Sequence, residues 1–212
     1  MAIFTWFQRN ERRFCDAHLA YSVSKTINGA RIMPTEKSIA DKNGSLSVIA
    51  HERSRLHEIC DELELIADQL GGQVNVQLYK SILNSLRDEL PLYHRDEEAL
   101  FNLLLERKPA DKVLAKRIEL AVSEHSTIES YAFELAEPIG NVIAGNDLSN
   151  VEAAGYLLRC CFEITRQHLR WEDVTLFGGR EYAIKGADKI ALKASLIRNR
   201  HNLPAGVLRI TT

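Results

Sequence analysis

Long apolar runs are missing from this 212-residue chain. No stretch approaches the ~20 residues that a membrane-spanning helix needs, so no membrane association through a span is expected. Charge of one sign is lacking too: 27 basic against 29 acidic residues leave a net charge of -2, which gives no electrostatic reason to expect nucleic acid or an anionic lipid surface as a partner. The four cysteines, Cys15, Cys60, Cys160 and Cys161, show no CxxC spacing, and adjacent cysteines rarely bridge each other. Free thiols in a cytoplasmic protein are the expectation, with Cys60 and Cys161 as small buried hydrophobes on apolar stripes. The first 14 residues carry Arg9, Glu11, Arg12 and Arg13 among their aromatic residues and do not read as a secretory signal. Neither a glycine-rich phosphate loop nor a nucleophile beside a base is present, which argues against ordinary hydrolase or transferase chemistry.

What the chain has is helical periodicity. Its 45% hydrophobic content is enough for one large domain, with or without appendages. Leu56, Ile59, Cys60, Leu63, Ile66, Ala67 and Leu70 keep a 3.6-residue register and predict a helix over 45–70, stopped by Gly71-Gly72. A second helix is expected over 74–107, kinked at Pro91 and ended by Pro109. A third is expected over 110–136, interrupted by Pro138. Ser149-Asn150-Val151-Glu152 has the form of a capping box and opens a fourth, running to Phe177 before Gly178-Gly179. Four long amphipathic helices with short connections and no strand pattern predict an all-α, antiparallel, up-down-up-down four-helix bundle over 45–178. Residues 1–44 form an N-terminal extension with one short helix near 5–20. Residues 179–212 form a C-terminal extension with one helix near 187–199, read as a solvated packing element.

Three His-x-x-x-Glu pairs lie within these helices: His94 and Glu98, His125 and Glu129, His168 and Glu172. A four-residue step stacks both side chains one turn apart on the same helix face. With 29 acids and seven His in the chain, a single pair means little. Each pair, however, continues an apolar stripe: Leu83, Leu86 and Leu90 before His94; Ile118, Ala121 and Val122 before His125; Leu157, Cys161 and Ile164 before His168. Ionisable groups on a core stripe are costly unless paired or bound to a cation, and a shared metal satisfies several at once. Mixed nitrogen and oxygen donors in a helical bundle suit iron, and less well other divalent metals. His51 to His94 and His125 to His168 are both 43 residues apart, as though two helical hairpins set their histidines at equal depth. Ile128, Phe101, Ile164 and Trp171 are expected as apolar walls of the site.

On these residues the chain resembles the hemerythrin-like HHE cation-binding family, over roughly residues 45–178. His94 to Glu98 followed by Leu100-Phe101 is similar to that family's second-helix motif, His168 to Glu172 followed by Leu176-Phe177 to its fourth, and His125 stands where the third helix supplies a His. The resemblance implies a non-haem centre of two iron ions that binds or senses oxygen, nitric oxide or peroxide, in a family that carries oxygen, handles iron or takes part in stress responses. The chain departs from the pattern at Asn102 and Gly178, where Pro usually follows the Leu-Phe pair. It departs again at Glu129, which is His in oxygen-carrying members; this residue is either a ligand or an acceptor behind one. Aligning Cys60 and Leu63 with the family pattern puts Arg53 where a first-helix His is expected. His51 or His57 is then the candidate from that helix, or no first-helix ligand exists. The expected metal set is therefore His51 (or His57), His94, Glu98, His125, Glu129, His168 and Glu172. A homodimer is compatible with this reading. The alternatives are a metal-free helical module for regulation or partner binding, and a di-iron enzyme with peroxidase-like or nitric-oxide-reducing activity.

Overall fold

The computed structural model describes residues 44–174, 184 and 186–202, and the regular secondary structure among these is helical. Helix α1 spans Gly44–Asp68. The chain then turns through Gly71, whose φ of 80° suits glycine because no Cβ crowds the carbonyl there. Asn75 caps α2 (Val76–Asn84), its side chain accepting from the Leu78 amide at 3.2 Å. A π-helical turn over Ser85–Glu89 joins α2 to α3, Leu90–Arg107. Asp111 caps α4 (Lys112–Ile143) and Asn150 caps α5 (Val151–Glu172), each accepting from the amide three residues on at 2.9 Å. Helix α6 covers Gly186–His201.

Four details differ from the expectation. Pro91 does not simply kink the second helix. It sits at the start of α3, immediately after the π turn, where the Leu90 amide bonds to the Ser85 carbonyl. Proline has no N–H for an i−4 carbonyl, and the wider turn absorbs the mismatch. Arg55 fastens that turn from α1, donating to Ser85 Oγ and to Glu89 Oε2, both at 2.9 Å. Pro138 does not end the third helix, which runs on to Ile143. Glu134, whose carbonyl loses its partner, is exposed, while Ile139 and Val142 beyond the proline are buried and hold the last turns down. The cap of α5 is Asn150, not Ser149. On that helix Leu158 and Thr165, rather than Leu157 and Ile164, fill the buried face beside Cys161 and His168. The expected helix near 5–20 and the Leu176-Phe177 helix end lie outside the described residues.

Cross-helix partners fix the topology. Glu52 and Arg55 of α1 face Asp96 and Glu89 of the second helical rod, so earlier residues meet later ones. His94 and Glu98 of α3 meet Glu129 and His125 of α4 in the same reversed order. His168 of α5 meets Glu124 and His125 of α4, and Arg53 and Asp68 of α1 meet Glu172 and Arg159 of α5. Neighbours are therefore antiparallel around a closed ring of four rods, the bundle expected from the periodicity.

Helix α6 is not a solvated appendage. Leu192 and Leu196 are fully buried in one core cluster with Val48, Ile49, Leu100 and Phe101. Burying two leucines contributes about 2 kcal/mol each, enough to dock a helix of this length. Arg200 is buried as well, donating to Asp96 and Glu52 at 2.7 Å each. Among the described residues no helix is long and apolar enough to cross a membrane.

Candidate metal centre

His94 (α3), His125 (α4) and His168 (α5) project into the bundle from successive helices and are all buried. Their rings pack together: His94 and His125 stack with centroids 4.0 Å apart, and His168 lies edge-on to His125 at 4.7 Å. Phe101 stacks on His125 at 5.9 Å. Ala121 and Ile128, one turn before and one turn after His125 on α4, are fully buried. Ile164 and Trp171 are only partly buried and contribute less wall than expected.

Each imidazole is held from outside by a carboxylate at Nδ1. His94 Nδ1 pairs with Glu129 at 2.8 Å, His125 Nδ1 with Glu98 at 3.1 Å and His168 Nδ1 with Glu124 at 2.9 Å. An ionised carboxylate only accepts, so in all three pairs Nδ1 carries the hydrogen and Nε2 is turned inward. Glu98 and Glu129, two expected members of the metal set, stand in this outer position, both partly exposed. Glu124 was not singled out from the sequence, since it precedes a His on its own helix and meets His168 only through the fold.

The inner carboxylates are Glu97 and Glu172. Glu97 Oε2 lies 3.4 Å from His125 Nε2 and 3.8 Å from His168 Nε2, and Glu172 Oε1 lies 3.6 Å from His168 Nε2. His125 Nε2 and His168 Nε2 are only 3.1 Å apart. Ligand atoms of Glu97, His125 and His168 all fall within 4.8 Å of one another. Both oxygens of Glu97, Oε1 of Glu172 and Nε2 of His94 are buried without a hydrogen-bond partner. Native interiors leave few such groups.

Helix α1 enters the cluster through Arg53. Its guanidinium pairs with Glu172, donates to Asp173 at 2.7 Å and to the Leu169 carbonyl at 3.2 Å, and lies 3.6 Å from Glu97. His51 is exposed and His57 half-buried. The equal 43-residue spacings thus correspond to a contact in the second hairpin, where His125 meets His168, while His51 faces solvent.

Protonation reflects two carboxylates and three imidazoles sharing one dry space. Burial, then the Glu97 charge, pushes Glu172 up to about 8. Burial would also raise Glu97, but the His125 and His168 imidazoles override it and hold this carboxyl well below its usual range. His94 is lowered to about 4 by burial. His125 goes the other way, to about 9: burial opposes its charge, and Glu97 and Glu98 outweigh burial. Since the folded value of His125 exceeds the ordinary ~6.5, its contribution to stability is complete below that pH and is lost as pH rises to about 9. Glu172 acts in the same direction. Protein stripped of metal is expected to melt at progressively lower temperature between these pH values, and thermal denaturation monitored by circular dichroism checks it. A melting temperature that rises over this interval would contradict the site's electrostatics.

Two inward Nε2 atoms 3.1 Å apart, both with Nδ1 already donating, present lone pairs to each other unless a positive charge lies between them. A proton or a metal cation can supply it, and a histidine whose other nitrogen donates to a carboxylate is the usual arrangement behind a metal. The donor set fits a cation on these grounds. The family model for the hemerythrin HHE cation binding domain matches residues 45–178. This chain belongs to that family. Among curated proteins and among solved structures nothing matches it. In this hemerythrin-family chain Glu97, His125 and His168 are the described residues grouped closely enough to hold a metal ion, with His94 and Glu172 buried beside them and Glu98, Glu124 and Glu129 behind the imidazoles. Glu97 escapes the four-residue spacing because it follows His94 by three residues, a step that shares a helix face equally well. Cys60 and Cys161 are buried free thiols, both pushed up to about 12 by burial and so held protonated.

Proposed function

We propose that this hemerythrin-family protein holds iron at the buried His/Glu cluster and uses it to bind or sense a small diatomic molecule or peroxide. The observation that carries the reading is the pair of inward Nε2 atoms, His125 and His168, beside Glu97, each with its Nδ1 anchored by a partly exposed carboxylate. Iron bound by such donors supplies one-electron exchange and affinity for oxygen, nitric oxide or peroxide. The chain's own residues shape the rest. Glu98, Glu124 and Glu129 fix ring orientation and raise imidazole basicity. Phe101, Ile128 and Ala121 keep water from one side, so a small uncharged ligand enters at lower cost than an ion. Arg53 fixes the orientation of Glu172. A carboxylate among the inner donors, Glu97, favours ferric over ferrous iron and works against simple reversible oxygen carriage, so sensing or consumption of the ligand is proposed ahead of transport.

The test is anaerobic reduction of iron-loaded protein followed by stoichiometric oxygen, nitric oxide or peroxide, with the visible spectrum recorded. A new charge-transfer band with at least one of the three is expected. Spectra unchanged by all three would overturn the ligand-binding reading.

A further inference from the structure

We infer that this chain carries one iron ion, not two, because the Arg53 guanidinium takes the place of a second cation; the inference rests on the iron-binding reading above. Arg53 is the side chain through which α1 meets both inner carboxylates, and it arrives charged. A guanidinium has no lone pair to offer a metal and does not lose its proton in proteins. It pairs with Glu172 and lies 3.6 Å from Glu97, so both inner carboxylates already face a fixed positive charge. It cannot swing away freely, since the Leu169 carbonyl and Asp173 hold its other nitrogen.

The remaining donors divide unequally. Glu97 Oε2, His125 Nε2 and His168 Nε2 converge within 4.8 Å and make one site. A second ion would have to draw on His94 Nε2, Glu97 Oε1 and Glu172 Oε1, the cluster's remaining buried atoms without hydrogen-bond partners. Both carboxylates in that group belong to residues beside Arg53, and the ion would sit next to a like charge in a water-poor space, where repulsion is little screened. Arg53 thus does for Glu172 what a second metal would do, pairing with it and fixing its orientation, without adding a redox centre. A single ion can pass one electron to a bound ligand where a pair can pass two, so nitric oxide or a one-electron change of state fits the site better than two-electron reduction of oxygen.

The experiment measures iron per chain by elemental analysis of the full-length protein reconstituted anaerobically with excess ferrous iron and desalted, alongside the electron paramagnetic resonance spectrum after oxidation. One iron per chain with the signal of an isolated high-spin ferric ion is expected. Two per chain with that signal silenced by coupling of paired ions would overturn the one-ion inference and leave the iron-binding reading standing. No retained iron would overturn the iron-binding reading, and this inference with it. In Arg53→His, which exchanges the guanidinium for a potential ligand, iron per chain should double. A folded Arg53→His protein that still holds one would show that Arg53 is not what excludes the second ion. The wild-type count decides the matter if that variant fails to fold.

Discussion

Arg200→Ala is expected to destabilise the protein by about 3–5 kcal/mol, the usual consequence of removing one partner from a buried ion pair. Arg200 reaches back from the last turn of α6 to Asp96 and Glu52, all three buried, and Asn199 adds a 2.7 Å hydrogen bond to Asp96. Burial, then mutual repulsion, already holds Glu52 well above the ordinary carboxyl range, and burial raises Asp96. Without the guanidinium these two acids would share an uncompensated pocket. The loss should lower the melting temperature by about 10 °C for a chain of this size and expose Leu192 and Leu196 as α6 loosens. Glu52→Gln in the Arg200→Ala background should recover part of it, because one buried charge is then gone. Denaturant unfolding of the three proteins measures this. A cost under about 1 kcal/mol, typical of exposed pairs, would mean that α6 is not docked as described.

His168→Ala should reduce ferrous affinity by at least ~100-fold. Changing a residue behind a ligand commonly costs 10–100-fold, and removal of the ligand itself should exceed that. His168 is fully buried, its Nε2 lies 3.1 Å from His125 Nε2, and its Nδ1 is held by Glu124. Its loss removes an inward nitrogen and also leaves Glu124 without its imidazole. Glu124→Gln, which keeps an acceptor but removes the charge, should weaken binding by roughly 10-fold. His51→Ala, at an exposed position, should change nothing. Anaerobic titration calorimetry with ferrous iron ranks the three, with circular dichroism confirming the folds. Equal losses in His51→Ala and His168→Ala would refute the placement of the site.

The bundle was legible because its helices carry long apolar stripes, and periodicity reports a buried face directly. The three histidines were legible for the same reason: a titratable group on such a stripe stands out. The choice between Glu97 and Glu98 was not, because steps of three and four residues share a helix face, and only the crossing of α4 turns Glu98 toward His125 Nδ1 while Glu97 points inward. Glu124 could not be found by spacing, since its partner lies 44 residues away on another helix. Arg53 was visible as an arginine aligned with a histidine position; its ion pair with Glu172 depends on how α1 and α5 cross. Helix α6 read as solvated because Lys, Arg and Asn surround its two buried leucines, and the acids that receive Arg200 lie more than 100 residues upstream. The π turn before Pro91 left only the proline as a trace in the sequence.

The claim beneath all of this is that a cation belongs between the inward nitrogens of His125 and His168 and the carboxylate of Glu97. Crystals of iron-loaded protein measured on either side of the iron absorption edge address it directly. An anomalous peak within bonding reach of those three residues is the predicted result. A peak only at partly exposed carboxylates such as Glu124 or Glu129, or none at all in crystals of demonstrably loaded protein, would contradict it.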